Sequence, residues 1–347
     1  MRVAVVGATG NVGTSVLSAL SADPEIEAIR GIARRLPVAN FDKTEFVAAD
    51  ISKHELTPLF EGMDAVIHLG WRIQSAHDPS ALERNNVFGS QRVFDAVAAA
   101  GVPALLYSSS IGAYSTGPKD RLVAETWPTE GIVSSLYSRQ KAKVERLLDA
   151  FENQCRSVRV VRMRPALIFK RDAATEIRRL FAGAWWPRVL FSKPLLKVVP
   201  YHPRFKFQSV HSLDVGEAFR LALKQDVRGA FNLAADPVLS SPLIAAVLEA
   251  RQVPVSHALL RGLAGVSWRL RLQQSDPGWV DLCLGSPLVD ATRAQTVLGW
   301  KPSRSSVDAL RELLQGIRDG AGIGTPPLAP PFKARASTRA SLASLKT

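Results

Sequence analysis

The sequence predicts an α/β fold built on a parallel sheet, with a smaller second region added late in the chain. Three observations predict it. Short apolar runs alternate with helical patterns through the first 165 residues, a glycine-rich turn follows directly on the first apolar run, and the texture of the chain changes beyond Pro165 before the alternation returns.

The alternation defines the elements in order. Strands are expected at Arg2 to Val6, Ile26 to Ile32, Thr44 to Ala48, Ala65 to Leu69, Ala104 to Ser108 and Ser157 to Met163. Helices are expected between them, because Gly10 to Leu20, Asn86 to Ala100 and Tyr137 to Asn153 carry apolar residues at three- and four-residue spacing. In the sixth strand Arg159, Arg162 and Arg164 fall among apolar residues, so a polar sheet face explains some of these arginines without a binding patch. Beyond Pro165, Pro187, Pro194, Pro200 and Pro203 punctuate a Trp-, Phe- and Arg-rich stretch. The earlier pattern resumes with a helix at Asp214 to Leu223 and a strand at Ala230 to Ala234, which indicates re-entry into the first domain. The stretch 321–347 is rich in Gly, Pro, Ala and Ser, and is expected to be a disordered basic tail.

Composition bounds the function. The 347 residues are 46% apolar, 22% charged and 7% aromatic, which excludes collagen-like, wholly disordered and disulfide-scaffold proteins. Cys155 and Cys283 form no CxxC pair, so neither a disulfide framework nor a metal site is expected, and a reducing cytoplasm is the expected compartment. Charges or prolines interrupt every apolar stretch well before the roughly 18–20 residues that a membrane span needs. The net charge of +13 is uneven: residues 156–206 hold thirteen Lys and Arg against Asp172 and Glu176. No zinc-finger spacing or RNP-like aromatic motif accompanies it, so nucleic acid is not an expected partner.

The chemistry begins at the first turn. VAVVGATGNVG places Gly7, Gly10 and Gly13 between an apolar strand and a helix, where backbone N–H groups and the helix dipole can take a pyrophosphate. The second strand runs out at Arg34 and Arg35, where an acidic residue would suit the ribose hydroxyls of NAD. Arginines there suit a 2′-phosphate, so NADP(H) is expected, with NAD(H) the alternative. Asp50 and Ile51 follow the third strand and are placed to meet the adenine edge; Leu69, Gly70 and Trp71 follow the fourth and would lie along the cofactor. Tyr137 and Lys141 stand four apart on one helix face, so the ammonium is expected to stabilise a phenolate and lower the tyrosine pKa from ~10. Ser110, just past a parallel strand, can hold the same substrate oxygen.

With these residues in order, the sequence resembles the extended short-chain dehydrogenase/reductases, the NAD-dependent epimerase/dehydratase family. The resemblance runs through GATGNVG at 7–13, Asp50-Ile51, VIHLG at 66–70, NVFGSQRV at 86–93, LLYSSSIGAY at 105–114, YSRQK at 137–141, RMRP at 162–165 and SVHSLDV at 209–215. It implies a Rossmann-type doubly wound parallel sheet, formed by 1–165 plus about 209–237, and a smaller, discontinuous C-terminal substrate domain of 166–208 plus 238–320. It implies Tyr137 as general acid/base, Lys141 on the nicotinamide ribose, Ser110 orienting the substrate oxygen and Asn86 supporting a proton path. It also places Thr9, Asn11, Val12, Ser108 and Pro165 against the cofactor, and suggests a homodimer through the 86–100 and 137–153 helices.

Departures from the family pattern narrow the chemistry. Dehydratases of the family carry Asp and Glu where this chain has Ile111 and Gly112. Sugar-nucleotide epimerases carry an Asn and an Arg-Asp pair where this chain has Leu167, Phe207 and Gln208. The expectation is therefore an NADP-dependent oxidoreductase acting on a carbonyl or alcohol of a hydrophobic small molecule. An epimerase with retained cofactor and a non-catalytic NADPH sensor are the alternatives. Trp185, Trp186 and the basic residues of 177–199 suggest an apolar lid or a peripheral contact with an anionic membrane. His202 and His211 are expected to be structural.

Overall fold

The computed structural model describes residues 1–73, 77–181 and 198–330. Its centre is a seven-stranded sheet in the order Gly229–Leu233, Arg159–Pro165, Ala104–Ser108, Ala65–His68, Arg2–Val6, Ala28–Ala33 and Thr44–Ala48. Every adjacent pair is parallel. Parallel strands covered on both faces read as continuous apolar runs, which is why Val3 to Val6 and Ala65 to Ile67 carry no polar alternation.

Helices cover the two faces. On one, Asn11–Ser21 and Ser212–Lys224 pack together over Val16, Leu17, Leu20 and Phe219. Gly216 makes that packing close: a Cβ there would stand 2.5 Å from the Ser15 carbonyl oxygen. On the other, Gly89–Ala99 and Leu136–Gln154 bury Val93, Phe94, Leu148 and Phe151. The expected 86–100 helix begins differently, with a π-helical turn over Arg84–Phe88 that leads into Gly89–Ala99.

Beyond Pro165 the chain builds a three-stranded sheet of Ala235–Ser240, Lys206–His211 and Leu167–Phe169. Helix Ser306–Asp319 covers it through Leu310, Leu313 and Ile317. His211 caps helix Ser212–Lys224 through Nδ1, which accepts from the Leu213 N–H. His202 Nδ1 likewise accepts from the Arg204 N–H. The basic aromatic stretch expected to form a lid is described only at its ends, since 182–197, with Trp185 and Trp186, lie outside the described residues.

The expected disordered tail needs correction at its start. Residues 321–330 are packed: Leu328 is fully buried, Gly324 accepts from the Val38 and Ala39 N–H groups, and Pro327 accepts from Arg179. Low apolar content suggested disorder, but one buried leucine and backbone bonding to distant loops hold the segment. No described helix is long and apolar enough to cross a membrane.

Candidate active site

The strand Arg2–Val6 ends at Gly7, whose φ of +85° belongs to the left-handed region that side chains disfavour. A Cβ there would also meet the Gly70 nitrogen at 2.8 Å, so the loops after two neighbouring strands approach backbone to backbone. At Gly13 a Cβ would stand 2.3 Å from the Gly7 carbonyl oxygen, which lets helix Asn11–Ser21 start directly over the turn. Gly10 is the N-cap and supplies no side-chain cap; its Cβ position has only the Gly7 oxygen nearby, at 3.6 Å. The helix thus opens on an uncapped N-terminus with room in front of it, the form of an anion site. Asn11 donates to the Ile168 carbonyl, while its buried Oδ1 has no partner. Thr9 is buried and Val12 half-buried in the same turn.

Arg34 and Arg35 are exposed at the end of strand Ala28–Ala33. Burial would raise the Asp50 pKa, but hydrogen bonds from the Ser52 N–H and hydroxyl, with the charges of Arg34 and Lys53, hold it below the usual value. Asp50 and Arg34 therefore stand close enough to interact at the ends of neighbouring strands. Ile51 is buried beneath Gly89, where a Cβ would meet its Cδ1 at 2.9 Å. The open, uncapped turn fits the pyrophosphate of a nicotinamide dinucleotide.

The catalytic set sits at the ends of the next strands. Ser110 caps the short turn Ile111–Ala113 by accepting from the Gly112 N–H at 3.0 Å. Ser138 donates to the Gly112 carbonyl and accepts from the Ile132 N–H, which anchors the start of helix Leu136–Gln154 beside that turn. The Ser110 hydroxyl acts on the Tyr137 phenol in the sense that favours its ionised form. Gly112 makes room for the ring, because a Cβ there would stand 2.8 Å from Tyr137 Cε1. Any side chain at 112 would have to displace that ring.

Two indoles flank the tyrosine. Trp71 meets it edge-on with ring centroids 6.0 Å apart, and Trp279, on helix Gly278–Gly285, lies tilted at 4.9 Å. Lys141 is buried, donates to the Ser108 carbonyl at 2.8 Å and the Tyr107 hydroxyl at 3.3 Å, and places its ammonium 3.6 Å from the Trp71 ring centroid. Here the expected electrostatics are corrected. Burial pushes Tyr137 up to about 12 against the lowering effect of Ser110, and burial lowers Lys141 to about 7 against the pull of Glu145. The ammonium is engaged by the Ser108 strand end and the Trp71 face, so desolvation dominates the phenol.

Asn86 is buried between two segments. Its Oδ1 accepts from the Arg72 N–H at 2.8 Å, while Nδ2 donates to the Arg72 carbonyl and to Gln140 Oε1, each at 2.9 Å. The amide thus ties the Arg72 backbone, next to Trp71, to the helix that carries Gln140. Leu69 continues its strand by donating to the Val6 carbonyl, and Pro165 ends a buried strand opposite Leu233.

Behind this set lies a buried ionic network. Glu145, fully buried, pairs with Arg162 at 3.0 Å and Arg164 at 2.9 Å, and accepts from Ser109. Arg162 also meets Asp149 and Glu152. Burial alone would raise the Glu145 pKa, yet the two guanidinium groups hold it at about 2. Arg162 and Arg164 are thus internal counter-charges, whereas Arg159 donates to the Ala222, Leu223 and Val227 carbonyls. Trp279 and Glu145 were missed by sequence reasoning. Glu145 was accessible to it, since Tyr137, Lys141 and Glu145 recur every four residues on one helix face. Trp279 lies far along the chain, and no local pattern points to it.

A model of the NAD dependent epimerase/dehydratase family matches residues 3–234, the stretch that holds the turn, Ser110, Tyr137 and Lys141. The chain belongs to this family. That membership places it among nicotinamide-dependent enzymes of the extended short-chain dehydrogenase/reductase type. An uncharacterized protein of Mycobacterium tuberculosis is 26% identical over 329 residues, 93% of this chain and 31% of its own. The chain thus spans about a third of the length of that curated relative. A UDP-glucose 4-epimerase of Mycolicibacterium smegmatis is 32% identical over 164 residues, 44% of this chain and 52% of its own. Among solved structures, a UDP-glucose 4-epimerase from Stenotrophomonas maltophila with bound NAD covers 92% of this chain and 98% of its own, at 21% identity and a TM-score of 0.69. A UDP-glucuronic acid 4-epimerase from Bacillus cereus in complex with NAD covers 92% and 99%, at 19% identity and a TM-score of 0.67. These likenesses bear out the Rossmann-type fold.

Within the family, the unusual positions have structural uses here. Gln208 is buried and exchanges two hydrogen bonds with the Val289 backbone, at 2.7 and 3.0 Å. Leu167 stands at the start of strand Leu167–Phe169 with its apolar side chain exposed.

Proposed function

We propose that the chain is an NADP-preferring oxidoreductase that interconverts a carbonyl and an alcohol on an apolar small molecule. The observation that carries this reading is the Tyr137 phenol beside Ser110 and between the Trp71 and Trp279 rings, with no carboxylate at 111 or 112. Bound nicotinamide dinucleotide supplies the two-electron carrier. In reduction, Tyr137 gives its phenolic proton to the carbonyl oxygen while Ser110 orients that oxygen. In the reverse direction, the deprotonated Tyr137 takes the alcohol proton. Lys141, lowered by burial to about 7, carries its positive charge beside the strand end of Ser108 and Ser110 below neutral pH and gives it up above. The indoles exclude water and favour an apolar substrate face. Exposed Arg34 and Arg35 support a 2′-phosphate on the cofactor.

A second reading, epimerisation of a nucleotide sugar with retained cofactor, is favoured by the relative named a UDP-glucose 4-epimerase. The two separate cleanly. The purified protein is titrated with NADPH and NADH by fluorescence, then assayed with ketone, aldehyde and alcohol panels at the cofactor absorbance, and with UDP-glucose for conversion to its 4-epimer. Net NADPH consumption on an apolar carbonyl supports the first reading; UDP-sugar conversion without net consumption replaces it with the second.

A further inference from the structure

The helix His257–Arg269 carries no buried residue, although it is 13 residues long. It contains two glycines: a Cβ at Gly262 would meet nothing within 4 Å, and one at Gly265 would meet only Pro277 Cγ, at 4.0 Å. An isolated helix of this length is marginal in water, and each interior glycine costs roughly 1 kcal/mol against alanine. The helix is nevertheless tethered along one side. His257 and Arg261 pair with Asp281 at 2.7 and 3.0 Å, and Trp268 stacks on His77 with centroids 4.7 Å apart.

The opposite side carries Leu259, Leu263, Val266 and Leu270 at intervals of four, three and four residues. They are 50%, 60%, 56% and 64% exposed. Such spacing lines one stripe of a helix. Between Ser256 and Gln274 the chain holds Arg261, Arg269 and Arg271 and no carboxylate. Arg269 and Arg271 are exposed at the end of the stripe.

We propose that this stripe seats the protein on an anionic lipid bilayer, with the four apolar side chains entering the headgroup boundary and Arg269 and Arg271 meeting lipid phosphates. An apolar stripe flanked by arginines and free of acids is the pattern of a helix that lies in a membrane interface. Charge complementarity selects this occupant over a second copy. Stripe packed on stripe of a second copy would leave Arg269 and Arg271 facing a helix that holds no carboxylate, whereas lipid phosphates supply the counter-charge. The proposal stands apart from the catalytic reading, because vesicle binding is measured without turnover.

The test is co-sedimentation of the full chain with phosphatidylcholine vesicles prepared with and without phosphatidylglycerol. The expected result is strong sedimentation with the anionic vesicles, weaker with phosphatidylcholine alone, and release as salt is raised. Leu263→Glu and Val266→Glu should lower partitioning at least tenfold, and Leu263→Ser should lower it in the same direction. R269Q with R271Q should abolish the preference for anionic vesicles. Far-UV circular dichroism and NADPH titration of each variant verify that it is folded. Wild-type protein that stays in the supernatant with anionic vesicles overturns the proposal, as do stripe variants that sediment like wild type. A wild-type dimer that Leu263→Ser converts to monomer, seen by light scattering, replaces the membrane with a second copy.

Discussion

Tyr137 shows how far environment reshapes a side chain that sequence alone identifies. Burial places the phenol at about 12, against the lowering effect of Ser110, where the residue pattern alone predicts a value below the ordinary one. Tyr137 therefore stays protonated across neutral pH, ready to donate in reduction. In oxidation the required phenolate grows as pH rises toward 12, so the oxidation rate should climb through pH 7 to 10; paired pH–rate profiles check this. Tyr137→Phe should lower kcat by about two to four orders of magnitude while leaving NADPH affinity within a factor of two. Stopped-flow turnover beside a fluorescence titration distinguishes the two effects. Gly112 operates at the same scale: Gly112→Ala presses a methyl group into the Tyr137 ring and should reduce kcat more than KM.

At the scale of elements, the cofactor cleft comes from loops at one end of the parallel sheet. Gly7 and Gly13 allow the first helix to begin within contact distance of the loop at Leu69 and Gly70. Strand Ala28–Ala33 then delivers Arg34 to the neighbourhood of Asp50, with exposed Arg35 following it. A charge-assisted hydrogen bond is worth about 1.5–3 kcal/mol. Accordingly, Arg34→Ala with Arg35→Ala should raise KM for NADPH by about tenfold or more and leave KM for NADH nearly unchanged. Initial-rate kinetics with both cofactors provide the check. The π-helical turn Arg84–Phe88 belongs to this scale too, since it presents Asn86 to the backbone of Arg72 beside Trp71.

Across the whole molecule, stability rests on apolar cores on both sheet faces and on the ionic network behind the site. Removing one member of a buried pair leaves an uncompensated charge and costs about 3–5 kcal/mol. Glu145→Gln should therefore lower Tm by several degrees, with calorimetry as the readout. Acid should act in two windows. Burial lowers His68 from 6.5 to about 3, so the unfolded chain takes up a proton that the native state refuses, and stability falls as pH drops from about 6.5 toward 3. Glu145, held at about 2, adds a second loss as pH falls from about 4.5 toward 2. His68→Asn should flatten the upper window in Tm measured against pH.

Much of the fold was legible because its signals are local. Apolar runs of five residues, helical spacing and a glycine turn between them report backbone geometry within a few positions of themselves. They located the seven strands of the parallel sheet and the glycine turn after the first, and they singled out Ser110, Tyr137 and Lys141, which the fold brings to neighbouring element ends. Element ends were less legible: the strand expected at Ser157 to Met163 runs over Arg159–Pro165, because pairing with Gly229–Leu233 extends it. Tertiary structure decided the rest. The Trp71 and Trp279 walls, the commitment of Asn86 to Arg72, the pairing of Glu145 with Arg162 and Arg164, and the packing of 321–330 depend on partners from distant parts of the chain. Local pattern specifies which residue types stand at a turn, whereas burial, and with it the protonation of Tyr137 and Lys141, depends on what the rest of the fold lays over them.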